Sequence, residues 1–461
     1  MSSMDERTPL LENDPGKVDL LYDRFSPAKK RLIVAIVSWG GLVPFFTSGT
    51  FIPSIPQIAK ELDTTGEAVS WAVSIYILGA ALGSLIGSAY ATFYGRRSAY
   101  LYSLPVMIIG SLGVGWAQNV DQLLIFRFLQ AMGASPGTSV GFGVIGDIYR
   151  LEERGRAMGS YYGATLVGLA LAPMIGGFVA HHFSWRLLHF FLAAFTFTAF
   201  LCILFYFPET SHPGSRGVDE FEREGGVHPR WRPVILNPFS QLDMLRSPSI
   251  LAVSLGSFLT LQCDFVLLVP LAYTIGKRYG ITNETIIGAC FLPCGIGNAI
   301  GAPLSGWISD IVIIRSKGKR GGLWYPEDRL RAALFGVFLP VTVILSAVFT
   351  KYISGTMGLV LNLICLFFTG VAVDMVLTPC GAFVVDILHS RSAESAAVIN
   401  AFRYLALSML TASILPLVNT VGHLTTNTIS AALACLGFLV LWMTILFGDS
   451  MRAWVNIGFT T

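Results

Sequence analysis

The feature of this chain that most constrains its fold is a set of long segments without a single Asp, Glu, Lys or Arg. Residues 404–448 form one of these segments, and others span 32–59, 68–95, 98–120 and 285–309. About 20 apolar residues are enough to cross a bilayer as a helix. Only 13% of the chain is charged, compared with about 25% in ordinary soluble domains. The sequence therefore predicts an all-α membrane protein that crosses the bilayer many times.

Charged positions and Gly/Pro/Asn-rich breaks divide the apolar segments into twelve predicted transmembrane helices, six on each side of a polar central segment. The predicted spans are 32–55, 69–92, 98–118, 122–146, 157–180, 187–207, 249–275, 286–309, 331–350, 356–385, 396–418 and 427–447. Two pseudo-symmetric halves follow from this pattern. The predicted units are a disordered cytoplasmic tail (1–31), an N-terminal six-helix half (32–207), a cytoplasmic central loop (208–248), a C-terminal six-helix half (249–447) and a short cytoplasmic tail (448–461).

The distribution of Lys and Arg predicts the orientation of these spans. Cytoplasmic loops of membrane proteins retain an excess of both residues. With the N-terminus inside, 24 of the 31 Lys and Arg residues fall on the cytoplasmic side and 5 on the outer side, while Arg127 and Arg403 lie within spans. Both termini are therefore expected in the cytoplasm.

Composition and motifs exclude several classes of function. A net charge of +3 does not fit a strongly basic nucleic-acid-binding protein. The seven cysteines lie in apolar segments, and none forms a ligand set with nearby His or Asp, so we expect neither disulfides nor a metal site. No Gly-rich Lys-Ser/Thr loop for ATP and no nucleophile with a neighbouring base is found. We therefore expect no cofactor and no enzymatic activity, and we expect a monomer whose partners are lipid, protons and a small-molecule substrate.

Four charged residues lie inside predicted spans, where a charge costs roughly 3 kcal/mol or more and normally faces the bundle interior or a water-filled cavity. Arg127 and Arg403 are the basic residues, and Asp264 and Asp374 are the acids, each with ten or more uncharged residues on both sides. A carboxyl group in such a place can take up and release protons as access to it alternates. The alternative is a structural role, in which each charge is satisfied by hydrogen bonds to neighbouring helices.

Three further acids, Asp147, Asp310 and Asp386, fall at the cytoplasmic ends of predicted spans. Basic residues are expected beside them at the cytoplasmic side, and these include Arg96, Arg97, Arg150, Arg154, Arg315 and Arg391. These charges are either solvated at the membrane interface or paired between helices. At the opposite side, Asn283-Glu284-Thr285 forms a possible glycosylation sequon close to a predicted span.

Several short motifs stand out over residues 40 to 445. They are Tyr94-Gly95-Arg96-Arg97, Gly306 to Asp310, Arg127 to Gly133, Trp185-Arg186, Pro208-Glu209-Thr210, Pro326 to Leu330, and the set Gly159, Gly168, Pro173, Gly176 and Gly177. Together they resemble the major facilitator superfamily, and within it the fungal twelve-span drug:proton antiporters. The first two are similar to the end of the family's loop motif between spans 2 and 3 and to its second-half copy, the third resembles the span-4 motif, and the last set resembles the span-5 antiporter motif.

This resemblance implies roles for individual residues. Arg127 would take part in proton coupling, and the glycines of span 5 would mark exchange rather than symport. An inner gate would include Gly95 and would be closed by ion pairs among Arg96, Arg97, Asp147, Arg154, Asp310 and Asp386. The chain departs from the first loop motif at Ser88, Thr92 and Phe93, where the family has Gly, Asp and Arg, so the latch of the first half is incomplete.

The sequence therefore predicts a proton-coupled secondary transporter, an antiporter that exports drugs or secondary metabolites by alternating access. Buried acids suit cationic or neutral drugs and polyamines, whereas Arg127 and Arg403 suit organic acids, and both substrate classes stay open. A passive channel and a substrate-sensing receptor are two further candidate functions. We expect the plasma membrane, with the vacuolar membrane as the alternative because Glu6 to Leu11 resembles an acidic dileucine sorting signal.

Overall fold

A computed structural model of the chain describes residues 22–149, 151–212, 214, 216–223, 236–321, 323, 325–387 and 392–454. These residues form helices joined by short loops and contain no strand. In chain order the long helical segments are α1 (Pro27–Glu61), α2 (Gly66–Tyr94), α3 (Arg96–Trp116), α4 (Val120–Ala134 followed by Pro136–Ile148), α5 (Leu151–His182), α6 (Trp185–Tyr206), α7 (Pro248–Gly276), α8 (Glu284–Lys319), α9 (Asp328–Tyr352), α10 (Gly355–Ile387), α11 (Ser392–Val421) and α12 (His423–Trp454).

Ten of these segments, as far as the chain is described, are long and apolar enough to cross a membrane. The other two are α4, which is interrupted before Pro136, and α5, of which only 167–182 qualifies as a shorter apolar helix. Proline lacks the N–H group that would continue the helical ladder, which explains a break at that position. The chain is thus a multi-pass helical membrane protein, as predicted, and the twelve long segments among its described residues are consistent with the predicted number of spans.

Polar residues at the loops fix several helix starts by accepting backbone N–H groups that have no partner within the helix. The hydroxyl of Thr65 accepts the N–H of Ala68 at 3.2 Å before α2. The side chain of Asn119 accepts the N–H of Gln122 at 2.9 Å before α4. These caps lie within short loops. Because the loops are short, consecutive helices run antiparallel.

The bundle consists of two halves, α1–α6 and α7–α12, which meet mainly through α2 against α11 and α5 against α8. In two related halves, α2 corresponds to α8 and α5 corresponds to α11. The α2–α11 contact is therefore the counterpart of the α8–α5 contact, as a pseudo-two-fold axis requires. Small residues bring the backbones close: a Cβ on Gly295 of α8 would lie 2.5 Å from Cα of Ala170 in α5. In the other pair the hydroxyl of Ser74 donates to the carbonyl oxygen of Ser408.

An apolar cluster joins the two halves at one end of the bundle. It contains Phe51, Ile55 and Trp185 from the first half together with Val269 and Leu407 from the second. This end carries the loop between α1 and α2, and the charge distribution predicts that it faces away from the cytoplasm. We call it the outer end and the opposite end the inner end. The halves are therefore in contact at the outer end in this conformation.

The central segment between the halves is partly helical. A short helix spans Gly217–Arg223, and a 3₁₀-helix spans Pro238–Arg246 and packs against α2 and α11. Its Gln241 accepts a hydrogen bond from the hydroxyl of Ser88 at 3.1 Å. Before the short helix, Arg216 donates to both carboxylate oxygens of Asp219 at 2.9 and 2.6 Å, and these hydrogen bonds hold the pKa of Asp219 below its usual value.

The first and last helices extend beyond the predicted membrane spans. The first helix begins at Pro27 rather than at residue 32, because Ser26 caps it and Pro27 suits a first helical turn. The last helix continues to Trp454 rather than ending at residue 447, and Arg452 in its last turn bonds to Glu327 at the start of α9. Most of the predicted cytoplasmic tails lies outside the described residues.

Candidate functional site

Arg127 lies in the first part of α4 and is completely buried. Its Nη1 donates to Oε1 of Gln130 at 2.8 Å and to the carbonyl oxygen of Thr47 at 3.4 Å. The guanidinium carbon lies 4.1 Å from the ring centre of Phe51 and 4.2 Å from that of Tyr76. Cation–π contacts of this kind compensate part of the cost of burying the charge. Arg127 is therefore held by α1, α2 and α4 of the first half.

A polar network continues from Arg127 across the first half. The Nε2 of Gln130 donates to the hydroxyl of Ser111 at 2.9 Å and lies 3.4 Å from Nδ1 of His189. His189 lies in α6, and only 1% of it is exposed. It sits one turn after Trp185, where α6 begins, on the face that packs inward.

Asp264 occupies the middle of α7 with 6% of its surface exposed. The thiol of Cys294 in α8 donates to its Oδ1 at 3.7 Å, and the side-chain amide of Asn298, one turn further along α8, also interacts with it. The carboxyl group of Asp374 in α10 interacts electrostatically with both Asp264 and Cys294. Two carboxyl groups from different helices therefore share one region of the second half.

Arg403 of α11 belongs to the same region. It interacts electrostatically with Asp374, while its Nη2 donates to Oδ1 of Asn400 at 2.6 Å. Within the described residues neither Asp264 nor Asp374 forms an ion pair within 4 Å. The structure thus brings together three of the four predicted charges, and it keeps Arg127 apart in the first half, out of contact with both acids.

The inner end of the first half carries a connected set of charges. The Nε of Arg96 at the start of α3 donates to Oδ2 of Asp147 near the end of α4 at 3.0 Å. The carboxylate of Glu209, just after α6, accepts the backbone N–H groups of Arg96 and Arg97 at 2.9 and 3.1 Å. Gly95, with φ of 104°, turns the chain into α3 at this point. The sequence singled out the Pro208-Glu209-Thr210 tripeptide without predicting this capping role.

The inner end of the second half has its own pairs. Arg329 of α9 bonds to Asp386 at the end of α10, and Arg320 pairs with Asp328 at 2.8 Å. Asp310 is exposed and forms no ion pair in the described part of the chain. The observed pairs lie between helices of one half rather than across the two halves, so a latch involving Asp310 stays a prediction for another conformation. The side chains of Arg154 and Arg391 lie outside what the structure describes.

The described helices form two halves with buried charges in both, and the sequence matches a known family. The profile of the Major Facilitator Superfamily matches residues 37–411. This chain belongs to that superfamily.

Among solved structures, the partially occluded, inward-open conformation of the xylose transporter XylE from E. coli shares this major facilitator fold. Its TM-score is 0.64 at 16% sequence identity, and the match covers 90% of this chain and 98% of that one. At this identity the likeness concerns the fold alone. The contact between the halves at the outer end agrees with a major facilitator protein whose outer side is closed.

Fungal major facilitator proteins are also similar in sequence. The MFS antiporter QDR3 of Candida albicans is 34% identical over 181 residues, which is 39% of this chain and 26% of that protein. The MFS-type transporter mpsC of Macrophomina phaseolina is 29% identical over 87% of this chain and 81% of its own length. The efflux pump radE of Floropilus chiversii is 28% identical over 73% of this chain and 65% of its own length. The matched part of the chain thus corresponds to between about a quarter and four fifths of the length of these relatives.

The glycines of the major facilitator span-5 motif lie at helix contacts. A Cβ on Gly176 would lie 2.2 Å from the carbonyl oxygen of Thr50 in α1, and one on Gly177 would lie 2.1 Å from that of Glu284 in α8. A Cβ on Gly168 would lie 3.0 Å from the side chain of Leu42 in α1, and the carbonyl oxygen of Pro173 packs against Gly288 of α8. The surroundings of Gly159 fall in the part of α5 whose side chains are not described. The motif thus packs α5 against both α1 and α8.

Proposed function

We propose that this chain is a proton-coupled antiporter that exports small organic compounds by alternating access. One observation carries the proposal: Asp264 and Asp374 lie mid-helix in the second half, interact electrostatically and have no ion-pair partner within 4 Å among the described residues. An intramembrane carboxyl group without a fixed counter-charge is expensive as an anion and becomes inexpensive once it binds a proton. Such a group can carry a proton across while the two halves alternate.

The energy of one proton is sufficient for this task. A single charge moving down 100 mV releases about 2.3 kcal/mol, enough for roughly a 50-fold gradient of a neutral substrate. Arg403, bonded to Asn400 and in electrostatic interaction with Asp374, adds a positive charge to the same region. Arg127 has a different role in this scheme. Its contacts with the rings of Phe51 and Tyr76 and its hydrogen bonds fix the packing of α1, α2 and α4 in the first half.

Direction and location rest on similarity and on charge. Relatives of this chain are named as an antiporter and as efflux pumps, which supports export of small molecules such as drugs or secondary metabolites. The orientation predicted from Lys and Arg places both termini in the cytoplasm. We propose the plasma membrane as the location, with the vacuolar membrane as the alternative, and small organic acids or polyamines as alternative substrates.

Purified protein in liposomes tests this function. A panel of cationic drugs, polyamines and organic acids is first screened for uptake driven by an imposed pH gradient. Asp264→Asn and Asp374→Asn are then compared with wild type in pH-driven transport and in counterflow at equal substrate concentrations. Asp243→Asn in the exposed central segment is the control.

The two assays separate coupling from substrate exchange. Neutralising the coupling acid should abolish pH-driven accumulation and spare counterflow, because exchange moves no net protons. Full pH-driven transport by both variants contradicts the assignment of these acids. Substrate flux without counterflow or accumulation in the wild type would indicate a passive channel instead.

A further inference from the structure

Three polar residues join the two halves at the outer end, and we call them the outer clasp. Nδ1 of His181, at the end of α5, lies 2.9 Å from Oε2 of Glu284 at the start of α8. Nε2 of the same ring lies 3.2 Å from Nδ2 of Asn283. One histidine of the first half is therefore held at both ring nitrogens by the second half.

The orientation of Asn283 determines which histidine form the clasp accepts. Its Oδ1 accepts the backbone N–H groups of Thr285 and Ile286 at 2.8 and 3.4 Å and so caps α8. Its Nδ2, which can only donate, therefore faces His181, and Nε2 of the ring must accept. Nδ1 then carries the hydrogen that it donates to Glu284. All these contacts are satisfied only when His181 is neutral.

The clasp lies beside a point where the two halves are in tight contact. A Cβ on Gly177 would lie 2.1 Å from the carbonyl oxygen of Glu284, and one on Gly288 would lie 2.3 Å from that of Pro173. Next to it, Nε2 of Gln57 in α1 donates to the carbonyl oxygen of Ala180 at 2.9 Å. Because α5 and α8 touch backbone to backbone here, the outer end can open only if the clasp breaks.

We propose that the outer clasp is a proton-released latch: it holds the outer end closed while His181 is neutral and releases it when His181 binds a proton. A proton on Nε2 would face the N–H groups of Asn283, which is fixed by its cap, and that hydrogen bond would be lost. The histidine and glutamate side chains are 38% and 22% exposed, so the added attraction of a full ion pair is small. An ordinary histidine changes its charge between pH 5 and 8.

Other charged groups at this end do not replace these contacts. On α5, the ring of His182 lies 4.9 Å from that of His181, but its Nδ1 lies 3.1 Å from the carbonyl oxygen of Phe178 in its own helix. At the end of α1 and the start of α6, Glu61 and Arg186 pair with each other at 2.7 Å. Lys60 adds a positive charge at the end of α1. Glu284 is the group on α8 that binds His181.

The latch deepens the proposed antiport, since it admits protons from an acidic outer side toward Asp264 and Asp374. It also bears on the glycosylation sequon. A glycan would be attached to Nδ2 of Asn283, the atom that binds His181. The structure assigns Asn283 to the clasp, and we expect the protein to carry no glycan there.

The test measures the width of the outer end directly, without substrate or gradient. Spin labels on Gln118→Cys and Ser354→Cys, both exposed at the outer end of different halves, report the distance by double electron–electron resonance, with the exposed Cys435 replaced by Ala. In nanodiscs, lowering the pH from 8 to 5 should raise the long-distance population several-fold. Glycosidase treatment of protein from a eukaryotic host should leave its mobility unchanged.

Four variants in the labelled background assign the response to the clasp. His181→Gln can both donate and accept, so it should stay closed at both pH values. His181→Lys can only donate and should be open at both. Asn283→Asp should reverse the response, because its carboxylate caps α8 and accepts from a protonated ring. The control His182→Gln should respond as wild type does.

Several outcomes overturn the latch: no pH response in the wild type, a response that persists in His181→Gln, or a closed His181→Lys. A mobility shift that disappears in Asn283→Gln overturns the assignment of Asn283. Because the distances are measured without transport, a pH response in a protein that fails the liposome assay would leave the latch standing and refute only the antiport.

Discussion

Gly95 lies directly against the carboxylate of Glu209: a Cβ on the glycine would fall 2.4 Å from Oε2. This contact lets Glu209 accept the first N–H groups of α3, which places Arg96 beside Asp147. Gly95 also has φ of 104°, a backbone conformation that side chains with a Cβ rarely adopt. The absence of a side chain at Gly95 therefore permits the hydrogen bonds that connect the ends of α3, α4 and α6.

Replacing Gly95 by alanine should destabilise the protein. Both the positive φ and the clash with Glu209 oppose a methyl group, and the cost should be about 1–3 kcal/mol. Thermal unfolding of the detergent-solubilised protein, followed by size-exclusion chromatography after heating, measures it. Gly318→Ala is the matched control, since Gly318 is helical and a Cβ there meets nothing within 4 Å. An unchanged melting temperature for Gly95→Ala would contradict the capping role of Glu209.

A charge exchange should test the pair between Arg329 and Asp386. Asp386→Arg places two like charges at the inner end of α9 and α10 and should lower stability and transport. The double variant Arg329→Asp/Asp386→Arg should recover part of the loss, with a coupling energy of about 0.5–3 kcal/mol. Thermal unfolding of the two single variants and the double variant gives this energy. If the losses are simply additive, the pair contributes nothing.

The ring of Tyr76 should matter more than its hydroxyl group. Tyr76→Phe keeps the face over Arg127 and removes only the hydrogen bond to the carbonyl oxygen of Pro44. Tyr76→Leu also removes the cation–π contact, which is worth about 0.5–2 kcal/mol. Counterflow should therefore decrease more in Tyr76→Leu. Tyr102→Leu, at an exposed tyrosine of α3, is the control, and equal losses in both Tyr76 variants would exclude a role for the ring.

The predicted orientation can be tested by labelling in intact cells. Asp243→Cys in the central segment and Lys277→Cys after α7 are both at exposed positions, and the exposed Cys435 is removed in both. A membrane-impermeant maleimide should modify the cysteine at 277 and leave that at 243 unmodified until the cells are permeabilised. The reverse pattern would overturn the orientation derived from Lys and Arg.

Some features of the site could be read from the sequence because they depend on single residues. Asp264, Asp374 and Arg403 stood out because a charge in an apolar span is costly wherever it lies. Glu209 and Gln130 lay within motifs, but the sequence did not show that Glu209 caps α3 or that Gln130 donates to Ser111, because such a contact is recognised only once its partner is known.

The sequence by itself determined that this chain spans a membrane with twelve helical segments in two halves, because apolar length and uncharged composition act locally and do not depend on what packs against what. Only the tertiary structure decided that Arg127 is enclosed within the first half while Asp264, Asp374 and Arg403 share the second. It also decided that His181 meets Asn283 and Glu284 across the outer end. Such contacts join residues about 100 positions apart, and their existence depends on helix rotation and tilt, which local composition does not set.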